Sequence, residues 1–213
     1  MTEIDPFISV IATLLRANSE ERPIAICIAG SNGSGKSTFY TAALKPFLNL
    51  PFVNADEISK GLLSPASDAR SLEAAMLAES QRKALVADRQ SFIFETVFSD
   101  SEGQKVAFLL ELQNAGYLVQ LIFIGIQSSN VSQARVIDRV QRGGHDVPDD
   151  RITSRFPKTL ENLRRAMAQI ENILLVDNNQ ADKPFMPIMI LQKGIAVWQT
   201  NDPLPLWVKR LDT

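Results

Sequence analysis

IAICIAGSNGSGKSTFYTAALK, residues 24–45, passes from an apolar run through a burst of small residues into a helix-like pattern. At its centre GSNGSGKS, residues 30–37, fits G-x-x-x-x-G-K-[S/T] in the strand-to-helix context that pattern needs. The residue types have physical reasons. Gly30, Gly33 and Gly35 allow backbone conformations that a side chain would obstruct. Backbone N–H groups along Ser31, Asn32 and Ser34 can then close on phosphate oxygens. A helix starting near Lys36 turns the positive end of its dipole to the same place. The Lys36 ammonium reaches the β and γ phosphates, the Ser37 hydroxyl is the expected Mg²⁺ ligand, and Thr38 adds a second hydroxyl. A dinucleotide-binding turn would instead carry G-x-G-x-x-G without the following Lys-Ser. The segment therefore implies a nucleoside triphosphate site, with ATP or GTP and Mg²⁺ as its ligands.

Outward from the loop, apolar runs alternate with helical spacings. Strand candidates are residues 24–30, 51–56, 91–98, 118–126 and 172–177. Residues 71–88 place Leu72, Ala75, Met76 and Val86 on one expected face, and residues 102–115 place Val106, Leu109 and Leu110 together before Gly116. An N-terminal helix is expected from Asp5 as cap, Pro6, and the stripe Ile8, Ile11, Ala12 and Leu15. This alternation predicts an α/β fold with three layers, a central, mainly parallel five-stranded sheet between helices. PIMILQKGIAVWQ predicts a C-terminal β-hairpin at about 184–200, and PLWVKRL a short closing helix. No repeat or linker divides the 213 residues, so one domain over 1–213 is expected. A net charge of −2 argues against a nucleic-acid coat protein. A lone cysteine, Cys27, and the lack of a leader or a long apolar run point to the cytoplasm with no membrane span.

A phosphate loop alone does not choose between a GTPase, a motor ATPase and a small kinase. No D-x-x-G followed by N-K-x-D occurs, and the nearest hydrophobic run ending in an acid is FIFET, residues 92–96. A kinase needs a carboxylate beside the γ-phosphate and cations for the moving phosphoryl group. Asp56 in VNADEI and Glu95 in FIFET fall at strand ends, where ligands of open α/β sheets bind. One suits a base, the other an acceptor-binding or Mg²⁺-organising partner. The plainer reading of Asp56 is a helix cap ahead of EISKG. Arg135, Arg139 and Arg142 are spaced to share a helix face, and Arg151 and Arg155 lie one turn apart beyond a Gly-Gly break. Together these predict a helical lid over about 134–156, with arginine forks suited to phosphate oxygens. His145 reads as a hinge residue before a proton carrier.

Taken in order, GSNGSGKST, VNADEI, FIFETVFS, the arginine-rich run through GGHDVP to Arg155-Phe156, and VDNN resemble the zeta-toxin family of P-loop kinases over roughly residues 24–180. The resemblance implies ATP- or GTP-dependent phosphorylation of a sugar hydroxyl on UDP-N-acetylglucosamine. It assigns Lys36 and Ser37 to the phosphate loop, Asp56 to the general base and Glu95 to the acceptor. Arg142 and Arg155 fall to the transferring phosphoryl, with Arg139 as the alternative to Arg142. Asn178 becomes a candidate at the nucleotide base. A UDP-sugar and an antitoxin protein are the partner classes it raises. Two rivals stay open: a kinase of a nucleoside or another metabolite, and a nucleotide-binding regulatory or interaction protein with little turnover.

Overall fold

The structure, a computed structural model, describes residues 22–63, 67–144 and 146–211. The expected N-terminal helix and His145 lie outside them. β1 (Ile24–Gly30) is buried along its whole length because it is the middle of a sheet covered on both faces. It pairs in parallel with β3 (Phe92–Val97) and β4 (Leu118–Gly125). β2 (Phe52–Val53) extends the sheet beyond β3, and β5 (Asn172–Asp177) lies beyond β4. These are the five parallel strands expected.

The C-terminal hairpin continues the same sheet. β6 (Met186–Gln192) pairs antiparallel with β5, β7 (Ile195–Gln199) pairs with β6, and the order becomes β2-β3-β1-β4-β5-β6-β7. Among the described residues the sheet thus has seven strands, because the hairpin supplies partners to a β5 edge that would otherwise stand open. Its two-residue turn, Lys193 and Gly194, has φ of 50° and 78°, the positive pair that a tight hairpin requires.

Helices cover both faces. α1 (Lys36–Phe39) runs into a single π turn at Tyr40–Leu44. Then come α2 (Ala55–Gly61), α3 (Asp68–Ala87), α4 (Gln104–Asn114), α5 (Ser129–Gln141), α6 (Asp149–Met167) and α7 (Leu206–Lys209). Alternation along β1 sorts the core into two halves. Ile24, Ile26 and Ile28 face Phe39 and Leu44, whereas the small Ala25, Cys27 and Ala29 make room for Phe92, Phe94, Tyr117 and Phe123.

The expected apolar face of α3 is not the buried one. Leu72 and Met76 are 63% and 64% exposed, while Ala74 and Ala78 are buried. Apolar residues surround this helix, so spacing picked its bulkiest stripe, whereas close packing on the core selected its alanines. α2 begins one residue after Asn54, not at Asp56 as the cap reading had it.

Tight packing sets a first testable expectation. A Cβ on Gly125 would lie 2.2 Å from Cζ2 of Trp207, a ring that is fully buried and donates from Nε1 to Asp177 Oδ1 at 2.6 Å. The ring cannot retreat without breaking that bond. Gly125→Ala is expected to cost about 3 kcal/mol, the upper range for overpacking. The urea midpoint should fall with an unchanged slope; an unmoved midpoint would show that the ring yields.

Candidate active site at the phosphate loop

The sheet's strand order reverses direction around β1, and the loop following β1 occupies that switch point, where ligands of open α/β sheets bind. Gly33 and Gly35 have φ of 67° and 94°, a region that side chains disfavour. A Cβ at Gly33 would also sit 2.9 Å from the Ser132 carbonyl oxygen, so α5 packs directly on the loop. Ser132 Oγ donates to the Asn32 carbonyl, and Asn178 Nδ2 donates to the Ser34 carbonyl at 2.8 Å. The loop is therefore clamped from two sides before any phosphate arrives.

Lys36 Nζ donates to the Ser31 carbonyl at 2.9 Å, and the side chain is buried. Burial pushes its pKa down; the carboxylates of Glu95 and then Asp56 oppose that shift, and Arg139 adds to it. Ser37 Oγ donates to Glu95 Oε2 at 2.7 Å, and Asn54 Nδ2 donates to the same oxygen at 3.0 Å. Asn54 Oδ1 in turn accepts from the backbone N–H groups of Asp56 at 2.7 Å and Glu57 at 3.3 Å. One asparagine thus caps α2 and orients Glu95. The Asp56 carboxylate itself has no hydrogen-bond partner among the described residues.

Two clefts meet here. One of about 800 Å³ is lined by Gly33, Gly35, Lys36, Ser37, Thr38, Glu95, Arg135, Arg139, Arg142, Asn178 and Phe185. The other, about 390 Å³, is lined by Asp56, Glu57, Ser59, Lys60 and Arg70. Ser37, Arg139 and Gly144 belong to both walls. Arg142 lines only the larger cleft and pairs with Asp138 at 2.9 Å on the surface. Arg155 is half-buried on α6 and lines neither cleft. Asn178 is buried with its side chain on the loop.

Arg135, expected from its helical spacing, lines the larger cleft and donates to the Asn178 carbonyl at 2.6 Å. Two residues join the site without having been singled out from sequence, Asn54 and Phe185. Asn54 had only its place in VNADEI. Phe185 had no signal; it sits at φ 58°, edge-on to Phe39 with ring centroids 5.4 Å apart.

Comparison with known proteins agrees with this architecture. The family model described as Zeta toxin matches residues 10–185. Among solved structures, the AvrRxo1-ORF1:AvrRxo1-ORF2 complex with sulphate ions aligns with a TM-score of 0.65 at 18% identity, covering 89% of this chain and 65% of that one. The chain thus spans just under two thirds of that protein's length. The PezAT chromosomal toxin–antitoxin system of Streptococcus pneumoniae aligns at 0.58 and 20% identity, covering 87% and 81%. A putative kinase from Chloroflexus aurantiacus aligns at 0.56 and 21% identity, covering 76% and 91%. No curated protein matches. The fold is that of P-loop kinases.

Proposed function

The chain belongs to the Zeta toxin family, and from that premise we propose that it transfers the γ-phosphate of ATP or GTP to a hydroxyl of a small molecule, with UDP-N-acetylglucosamine as the leading acceptor. The observation that carries this reading is the shared wall. Two clefts join at Ser37 and Arg139, one holding the phosphate loop and the other Asp56. A donor in the larger and an acceptor in the smaller would face each other for in-line transfer.

In this reading Asp56 accepts the hydroxyl proton, and Lys36 neutralises phosphate oxygens. Arg139, in the common wall, meets charge on the moving phosphoryl group; Arg142 and Arg155 are the lid arginines that family likeness assigns to the same task. The hydroxyl of Ser37 and the carboxylate of Glu95 are hard oxygen donors already in contact. They fit Mg²⁺, which takes few protein ligands alongside substrate phosphates and supplies charge neutralisation there. Asn178 and Phe185 border the larger cleft where the nucleotide base would lie. A regulatory protein without turnover has no need of a carboxylate left unpartnered next to the phosphate loop.

Two further parts of the proposal rest on family likeness: an antitoxin as protein partner, as in the PezAT system, and a cytoplasmic site of action. Among the described residues no helix is long and apolar enough to cross a membrane.

The deciding experiment is a coupled turnover assay with Mg²⁺, ATP or GTP, and a panel of UDP-sugars, nucleosides and nucleotides. Turnover that appears only with UDP-N-acetylglucosamine or a close relative is expected. Stimulation by a nucleoside instead would replace the acceptor and keep the kinase. Tight nucleotide binding with no stimulation would favour the regulatory rival.

A further inference from the structure

β3 carries Glu95 towards α1 and presents Phe94 and Thr96 to the opposite face. On that face a cleft of about 380 Å³ opens between α3 and α4, lined by Arg82, Phe94, Thr96, Gln104, Lys105 and Phe108. It takes no part in the mechanism above. The guanidinium carbon of Arg82 lies 5.5 Å from the Phe94 ring centroid and 5.6 Å from that of Phe108. The rings engage its π faces, but every N–H of a guanidinium lies in the plane between them. Arg82 Nε is buried without a hydrogen-bond partner among the described residues. The nearest acid along the helix, Glu79, is already paired with Lys83 at 2.6 Å.

Lys105 stands across the cleft, and its ammonium donates to the Val97 carbonyl. Burial pushes its pKa down to about 8, against the opposing carboxylate of Asp100. Glu111 is a remaining acid on the wall, and it forms no ion pair with either cation among the described residues. Two half-buried cations that form no ion pair among the described residues carry a desolvation cost, and an oxyanion between them supplies the missing acceptors. The two aromatic rings also fix Arg82 in advance, so little rotamer freedom is lost on binding.

We propose that this cleft is an anion-binding site, separate from the phosphate loop, that takes the carboxylate or phosphate group of a small molecule between Arg82 and Lys105. Thr96 and Gln104 add a hydroxyl and an amide at the rim.

The test is an NMR titration of the full chain labelled with ¹⁵N-arginine, with Mg²⁺ and a non-hydrolysable ATP analogue filling the phosphate loop. Inorganic phosphate and malonate are added separately, and the Arg82 Nε–H resonance is followed, assigned by its loss in Arg82→Lys. A saturable shift is expected, with affinity at least about tenfold weaker in Lys105→Met, the low end for a hydrogen bond to a charged group. Lys105→Gln serves if the methionine variant does not fold. A response to phosphate alone assigns a phosphate-bearing ligand, and to malonate alone a carboxylate. No saturable shift up to tens of millimolar of either, or a shift that ignores Lys105, would overturn the proposal and leave Arg82 as an aromatic clamp.

Discussion

Lys36→Met is expected to lose phosphoryl transfer by about two to three orders of magnitude, the scale for removing one preorganised charge-stabilising donor, yet to melt no lower than the parent protein at neutral pH. The two halves of this result have one cause. Lys36 is buried beside a loop made to receive phosphate, and in the protein without nucleotide its charge is held by little more than the Ser31 carbonyl at 2.9 Å. Burial therefore lowers its pKa from 10.5, with the more distant acids offsetting part of that penalty. For a lysine the sign follows directly. A folded pKa below the unfolded one means that the charged form costs folding free energy at low pH, and that this cost fades as pH rises towards 10.5. Methionine keeps the aliphatic stem and removes the cost. The stability gain of Lys36→Met should be largest at neutral pH and shrink on the alkaline side. Lys105 produces a similar alkaline rise, from about 8 upward, and because the Lys36 charge helps to lower it, Lys36→Met eases that cost as well, in the same direction. Melting curves from pH 7 to 10 measure this. A variant that is less stable throughout would mean that the Ser31 contact outweighs the desolvation cost; near-parental transfer would remove Lys36 from the phosphate role.

The parts of the site readable in the sequence are those in which one residue type has one physical use. Glycines at 33 and 35 followed by Lys-Ser announce a loop with positive φ, and the backbone has it at 67° and 94°. β1 reads as a continuous apolar run because both its faces are covered, and the structure buries all of it. What could not be read depends on relations between distant segments. Asn54 shapes the site through two contacts, one to Glu95 on β3 and one to the start of α2, and only the adjacency of β2 and β3 brings them together. Phe185 reaches the loop because β5 ends beside it, which no local pattern encodes. The hairpin's strands were legible from QKG, but their pairing to β5 was a matter of which edge stood open. On α3 the spacing signal named Leu72 and Met76, because alanine is too weakly apolar to mark the face on which close approach depends.

Asp56→Asn is expected to reduce transfer at least about a hundredfold, the low end for a general base, while leaving nucleotide affinity and fold intact. Selectivity of this kind follows from where the residue stands. Asp56 lines the smaller cleft and not the larger, so the nucleotide's own contacts are untouched. It occupies the first turn of α2, but the cap is Asn54, which takes the Asp56 backbone N–H at 2.7 Å whatever the side chain is. Losing its charge there forfeits roughly 0.3–1 kcal/mol of interaction with the helix dipole, and Glu57 remains as a second acid in that turn. Asparagine matches aspartate in shape and can still hold an acceptor hydroxyl by a hydrogen bond, but it cannot take the proton. The loss should therefore appear in kcat with KM for the acceptor changed little. Glu57→Gln is the matched control. It lines the same cleft, yet its carboxylate is engaged with Lys60 at 2.6 Å, so its removal should leave transfer within a few-fold of the parent. If the two variants lose activity equally, the cleft needs negative charge in general and Asp56 is not the base. If Asp56→Asn instead raises KM for the acceptor with kcat preserved, the carboxylate orients the hydroxyl, and the proton leaves by another route.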